Sequence, residues 1–392
     1  MASSIKQPGY FDIIISGAGL AGLSLLYQAM KAGIWNDLQI LVLDEPAAER
    51  HHKTWSFWAK DPGPFDEIIC KRWNNLVFIT HQDKRIPLRL NGYTYNSIQS
   101  ADFRAFALHY LGSCKNLTFS YEQVISMKSE AGLCSLKTTT ALYTSKFIFN
   151  SVYKKPELIN GEQYFLQHFK GLMIKTSLPQ FNPDEASLMD FRTGQEHGTS
   201  FFYALPFKAN ELFVEYTVFS KTLLDQDVYE AKISEYLSRV LKIDAYEVIK
   251  SEYGVIPMTD HVFPRFEGNI VNIGSSGGDT RGATGYTFSN VQKTVGKILR
   301  SWEQTQTPFF RDENIGIKHQ LYDGTLLSVL DKGQYKGHQI FEDLFSRTRA
   351  DFVFSFLDAE STMVEDIRII KSLRPLPFLK GMISVLSRKL KI

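Results

Sequence analysis

The first apolar run of the chain, from Tyr10 to Met30, is long enough to cross a bilayer. Gly17, Gly19 and Gly22 and an alanine-rich middle argue for another reading. The pattern predicts a buried strand over Phe11 to Ser16, a tight turn, and a helix from Leu20 to about Gly33. A second apolar strand, Gln39 to Leu43, ends at Asp44. Strand, glycine turn, helix, strand is how a parallel doubly wound sheet opens.

Shorter alternations follow. Leu76 to His81 and Lys84 to Leu88 predict a hairpin around Gln82-Asp83, and Ala101 to Leu111 predicts a helix. Leu117 to Tyr121, Leu133 to Thr138 and Phe147 to Phe149 read as strands. From Gln163 to Ser220 the pattern is strongly β. Helices return at Gln226 to Leu241. A strand at Asn269 to Ile273, a glycine-rich loop and a helix from about Gly285 to Trp302 come next, and beyond Asp312 the chain reads as mostly helical. These patterns suggest a discontinuous dinucleotide-binding domain (10–75, 95–160 and 250–305) and a substrate-binding β-sheet domain (76–94 and 161–249). A C-terminal helical region (306–392) completes the division.

The turn Gly17-Ala18-Gly19-Leu20-Ala21-Gly22 carries the first candidate chemistry. Gly17 permits the tight turn, Gly19 lets backbone approach a pyrophosphate, and Gly22 lets helix pack closely on strand. The free N–H groups at the helix start favour phosphate charge. Asp44, at the end of the second strand, can accept hydrogen bonds from a ribose. A second strand-to-helix junction lies far downstream, with Gly274, Gly277, Gly278 and Gly285. Two such junctions suit one long ligand, the first holding its pyrophosphate and the second meeting the ribityl and ring end. That favours FAD over NAD. The plainer reading of the second loop is a helix entry with Thr284 as N-cap.

The segment from Leu212 to Phe219 alternates with period two. Phe213, Glu215, Thr217 and Phe219 share one face, so Glu215 stands among aromatic rings. If that face lines a closed cavity, desolvation keeps a proton on the carboxyl and makes it a candidate general acid. If it faces solvent, Glu215 is an ordinary strand residue. Asp190 reads first as a structural ion pair with Arg192. His51-His52 does not suit a metal, because neighbours on extended chain point opposite ways. No metal site is predicted.

Composition adds limits. Lys plus Arg is 44 and Asp plus Glu 42, a net of +2 that gives no reason to expect nucleic acid. Cys70, Cys114 and Cys134 match no thiol metal or redox spacing and read as reduced, implying a cytoplasmic chain. The N-terminus shows no signal-peptide pattern. Lys371, Arg374, Lys380, Arg388, Lys389 and Lys391, interleaved with apolar residues, make a basic amphipathic tail. Such a tail suits the anionic surface of a membrane, at its inner face; the plainer reading is a solvated last helix packed on the core.

Eight segments in order give the chain a resemblance to the flavin-dependent bacterial lycopene β-cyclases. They are the N-terminal glycine turn; Thr54-Trp55-Ser56-Phe57-Trp58; Gln167-His168-Phe169-Lys170-Gly171; Met189-Asp190-Phe191-Arg192; Phe202-Tyr203-Ala204-Leu205-Pro206; Val214-Glu215-Tyr216-Thr217; Ile256-Pro257-Met258-Thr259; and Gly285-Tyr286-Thr287-Phe288. The resemblance implies a mixed α/β fold like that of p-hydroxybenzoate hydroxylase and geranylgeranyl reductase. It implies cyclisation of the ψ-end groups of lycopene, through γ-carotene to β-carotene, without net redox change. Reduced FAD would be required, with NAD(P)H as the reductant. The family's proposed catalytic acid falls on Glu215; the second acidic position of plant relatives is Tyr216 here, so no role passes to it. Gly274-Ser275 departs from the Gly-Asp of flavin hydroxylases. A redox flavoprotein, such as an isoprenoid reductase or monooxygenase, and a non-catalytic isoprenoid carrier remain the competing readings.

Overall fold

The computed structural model describes residues 6–45, 53–159, 161–311 and 316–389. Two large sheets organise it. In the first, five parallel strands run in the order Ile270–Asn272, Ala141–Asn150, Lys6–Ser16, Ile40–Asp44, Leu117–Tyr121. The Ile13-Ile14-Ile15 run of strand Lys6–Ser16 is buried on both faces, which is why it does not alternate with polar residues. Ile13 and Ile15 point to helices Leu20–Lys31 and Phe288–Thr305, while Ile14 points to the other side. That other side is covered by an antiparallel meander, Val124–Glu130 and Leu133–Thr138, through Met127, Cys134 and Leu136.

The second sheet has seven strands, in the order Glu247–Thr259, Tyr164–Lys175, Glu211–Ser220, Thr199–Lys208, Glu185–Asp190, Asn75–Ile79, Arg85–Leu88. The predicted hairpin is its far edge. The thirteen-residue strand Glu247–Thr259 is longer than the sequence pattern suggested, and the expected boundary near 250 falls inside it. Its polar residues and Pro257 hide the alternation, and an edge position tolerates the proline. One face of this sheet packs on helix Gln226–Glu235 through Val214, Tyr216 and Val218. The opposite face meets the C-terminal helices through Leu327, Phe341, Val353 and Phe354. A small third sheet pairs Thr54–Ala59 and Lys71–Trp73 with Thr94–Gln99.

The region beyond residue 315 is helical, in five helices from Gly316–Lys332 to Pro375–Lys389. The helix after the second glycine loop begins at Phe288, three residues later than the sequence suggested, with Thr287 at its N-cap position. Thr284 is therefore not the cap; it faces a cavity instead.

Candidate active site

At the first glycine turn, each position has a distinct demand. Gly17 has φ +98°, a conformation open to glycine and costly for other residues. A Cβ at Gly22 would strike the Gly17 carbonyl and sit 3.0 Å from Ile15 Cγ2, so this glycine is needed for helix to lie on strand. Around Gly19 nothing among the described residues lies within 4 Å of a Cβ position, which leaves them no claim on the turn's outer side. Ala21 and Gly22 are buried in the helix start. Asp44 ends the second strand with its carboxylate 3.6 Å from Arg104 Nη1, which also donates to the Ala18 carbonyl at 2.8 Å. Arg104 thus ties the turn to the acidic residue; its sequence position, on a different helix, gave no hint of this.

The second loop meets the first. Gly274, at φ +64°, would place a Cβ 3.0 Å from that of Ala21. Its N–H donates to Asp279 at 2.6 Å, and Asp279 also takes Arg265 and Thr294. Gly277 and Gly278 shape this loop without lining the main cavity: a Cβ at Gly277 would meet the Asn272 carbonyl, and Gly278 closes the short helical turn at φ +80°. Gly285, at φ +71°, stands against Gln167 Oε1, a buried acceptor with no partner.

These two loops form one end of a cavity of about 350 Å³, reached by Leu20 from the first turn and by Ser275, Thr284 and Gly285 from the second. Its opposite wall is the inner face of the seven-stranded sheet, where Phe213 and Glu215 project. Aromatic rings supply much of the remaining surface, from Trp55, Tyr95, Phe169, Tyr203, Tyr286 and Phe288. Tyr286 Oη lies 3.3 Å from Tyr95 Oη and 3.5 Å from Tyr203 Oη, and its ring packs on Trp58 at 4.2 Å.

Glu215 is 7% exposed. Thr217 Oγ1 donates to its Oε1 at 2.7 Å. Burial, followed by the nearby Glu252 carboxylate, pushes the Glu215 carboxyl up to about 8. The solvent-facing alternative is excluded by the strand's environment, since both its faces are buried. Two charged residues near Glu215 were not singled out from the sequence. Lys53 lines the cavity and donates to the Tyr253 carbonyl; Glu252 lies behind Thr54. The pairing of three strands brings Glu252 near Glu215, and contacts to Tyr253 and Glu252 hold the Lys53-Thr54 segment there; neither has a local signal.

Other candidates fall elsewhere. Asp190 is wholly buried and pairs with Arg192 at 2.7 Å while accepting from Tyr236 Oη at 2.7 Å, outside the cavity. His51 and His52 lie outside the described residues. The basic tail is thinner than its sequence suggests. Arg388 turns inward to pair with Asp260 and the Gly161 carbonyl, and Arg374 sits 3.7 Å from Asp343 over the Tyr335 ring. Lys371 and Lys380 are exposed; Lys391 lies outside the described residues. The same helices expose Met363, Val364, Ile367 and Ile370, then Leu376, Leu379 and Ile383. No described helix is long and apolar enough to cross a membrane.

Comparison with solved structures places the architecture among flavoproteins. The chain superposes on a geranylgeranyl bacteriochlorophyll reductase-like protein from Thermoplasma acidophilum with a TM-score of 0.60 at 10% identity, covering 95% of this chain and 98% of that one. A flavoprotein/dehydrogenase from Cytophaga hutchinsonii gives 0.64 at 11% identity, covering 97% and 100%. HpxO of Klebsiella pneumoniae, solved with FAD and uric acid, gives 0.57 at 13%, covering 93% and 98%. Among curated proteins, a chloroplastic neoxanthin synthase of Solanum lycopersicum is 25% identical over 298 residues. A chromoplastic capsanthin/capsorubin synthase of Capsicum annuum is 26% identical over 306 residues. Each alignment covers 70% of this chain but only 57% of the relative's length. The family model described as lycopene cyclase protein matches residues 12–382, nearly the whole sequence, and the chain therefore belongs to the lycopene cyclase family.

Proposed function

We propose that the protein is a lycopene β-cyclase, an isomerase that closes the ψ-end groups of lycopene into β-ionone rings, by way of γ-carotene to β-carotene. The observation that carries this reading is a single cavity in which a buried carboxyl, Glu215, faces aromatic rings at one end and two glycine loops at the other. An acid held neutral at physiological pH can protonate a carbon–carbon double bond, which an exposed carboxylate cannot do.

Glu215 gives its proton to the terminal double bond of the ψ end. The neighbouring double bond attacks the resulting cation and closes a six-membered ring, and loss of the C6 proton leaves the β-ring. One proton enters and one leaves, so no redox change results. The rings of Tyr95, Phe169, Tyr203 and Tyr286 line the cavity in which positive charge develops, and a ring turned face-on to that charge attracts it through its quadrupole. The apolar walls exclude water, which would otherwise quench the cation.

The cofactor of this reading is FAD, with NAD(P)H as its reductant. Gly17, Gly19, Leu20, Ala21 and Gly22 would hold the pyrophosphate, Asp44 the ribose, and the loop from Gly274 through Gly277 and Gly278 to Gly285 the ribityl and ring end. The space over Gly19 that no described residue claims and the partnerless Gln167 Oε1 beside Gly285 fit such a group. When bound and reduced, FAD supplies negative charge that stabilises a nearby cation. A hydrocarbon substrate resides in lipid. The exposed apolar residues of helices Met363–Ser372 and Pro375–Lys389, with Lys371 and Lys380 beside them, suit peripheral contact with an anionic membrane at its inner face.

Replacement of Glu215 tests the proposal. In lycopene-accumulating cells the wild-type chain should give a yellow bicyclic product, and Glu215→Gln should leave red lycopene while keeping its flavin absorbance. In vitro, under anaerobic reduction, the rate should hold below about pH 8 and fall about tenfold per unit above it, because the protonated form is the active one. Stoichiometric consumption of NAD(P)H would support the reductase reading instead. Full cyclisation by Glu215→Gln would remove Glu215 from the mechanism.

A further inference from the structure

Resting on the reading of Glu215 as the acid, the cross-strand register assigns a second carboxylate to the same task. Glu215 pairs with Gly171 on one side and Tyr203 on the other, and Gly171 pairs in turn with Glu252. Directly paired residues project to the same face, so Tyr203, Glu215, Gly171 and Glu252 form one row across four strands. The row has no side chain at Gly171. The stem of Glu252 and the ring of Phe213 lean into that gap, 3.2 Å and 2.6 Å from the place a Cβ would occupy. Two acidic residues thereby stand on one face two strands apart, with only a glycine in the row between them, both buried, Glu252 at 3% exposure.

Their donors are unequal. Glu252 accepts from Thr54 Oγ1 at 2.7 Å and Thr54 N at 3.2 Å, and the Lys250 ammonium stands 3.4 Å from its Oε2. Glu215 accepts one bond, from Thr217. The other titratable groups around Glu215 are Lys53 at the start of the Thr54–Ala59 strand, Tyr203, Tyr95 on the Thr94–Gln99 strand, and Tyr286 from the second loop. The three phenols are held neutral by burial. Lys53 is the only cation among them, and its ammonium is committed to the Tyr253 carbonyl. When two neighbouring carboxyls share one proton, it resides on the one with fewer donors.

We infer that Glu252 is a positioning residue for the acid: it carries the negative charge of the pair and so retains the proton on Glu215. Glu252 does not line the cavity, so it acts through Glu215 and not on substrate. Gly171 belongs to this device, because any larger residue in the row would separate the two groups. The direction of the Glu252 influence on Glu215 is upward, second only to burial, and that of Lys53 is downward.

The test is an infrared pH titration of the buried carboxyl band in the FAD-loaded protein without substrate, assigned by its absence in Glu215→Gln. Glu252→Gln keeps the shape and the contacts of Thr54 but removes the charge. It should lower the Glu215 midpoint by about one pH unit, cutting activity about tenfold on the alkaline side. Lys53→Met should raise the midpoint, and a merely structural role would not produce opposite shifts. An unchanged midpoint in Glu252→Gln, or shifts of the same sign in both variants, would overturn the inference. Should Glu252→Gln fail to fold, Thr54→Val removes the hydroxyl donor and should also lower the midpoint; no movement there would count against the pairing. Cyclisation surviving in Glu215→Gln would end the acid assignment while leaving the midpoint shifts to decide the pairing.

Discussion

Replacing Gly171 with alanine adds one methyl group at a crowded point of the inner sheet face. An ideal Cβ there would lie 2.6 Å and 2.8 Å from two carbons of the Phe213 ring and 3.2 Å from Glu252 Cγ. Alanine in place of a strand glycine gains about 0.5–1 kcal/mol from the smaller entropy of the unfolded chain. Overpacking of a filled core costs about 1–3 kcal/mol. The clash is with a ring that is only 3% exposed, so the second effect wins and the net loss is about 1–2 kcal/mol. The ring's open side is the cavity, so relief comes by swinging towards Glu215 and into the space for substrate. Denaturant unfolding at pH 7 should therefore show the loss, and pigment conversion should fall even at full flavin loading. Phe213→Leu shortens the offending side chain. In a double-mutant cycle the two substitutions should couple favourably by about 0.5–3 kcal/mol, with partial return of activity. Wild-type stability in Gly171→Ala, or strictly additive effects, would refute the packing described for this row.

Two further expectations concern other parts of the molecule. Gly22→Ala should destabilise the protein with or without flavin, since its Cβ meets the Gly17 carbonyl, whereas Gly19→Ala should leave the flavin-free protein unchanged and weaken FAD retention; thermal melts at graded FAD separate the two. Burial holds the His168 imidazole down to about 4, with Tyr229 Oη at 2.6 Å from Nδ1 and Ser220 Oγ at 2.8 Å from Nε2. Its folded value is depressed, so the stability it protects is present above about pH 6.5 and is lost as pH falls towards 4, at about 1.4 kcal/mol per unit. Denaturant midpoints between pH 7 and 4.5 should slope less steeply in His168→Gln by about one proton, and an equal slope would contradict this.

The parts of the site carried by local pattern were legible. The glycine turn with its flanking strand and helix, and the period-two face that sets Glu215 beside Phe213, both show within a few residues of sequence. What no local pattern encodes is register. Lys53 and Glu252 are 199 positions apart; Glu252 comes near Glu215 because Tyr164–Lys175 pairs with strands on both sides, and Lys53 follows through its bond to the Tyr253 carbonyl and those of Thr54 to Glu252. The glycine of the Gln167-to-Gly171 segment looked like a motif letter, and its purpose appears only when its two cross-strand neighbours are acids. The tail misled in the opposite way. Arg388 reads as a surface cation along the sequence, yet Asp260, 128 positions earlier, claims it. Apolar residues on the same helices, unremarkable one by one, recur at helical spacing and stay exposed in each.

Arg281, between the second glycine loop and the helix at Phe288, is 1% exposed and locks onto Asp323 of helix Gly316–Lys332 at 3.0 Å. Its guanidinium has no route to water if that carboxylate is taken away. Loss of the Asp323 carboxylate alone, as in Asp323→Asn, would therefore leave a buried guanidinium with His319 Nδ1 at 3.4 Å beside it, whereas trimming the helices after residue 315 would strip away its partner and its cover together. Attempts to shorten this scaffold should begin at its outer loops, because the helical cap and the second glycine loop form one electrostatic joint.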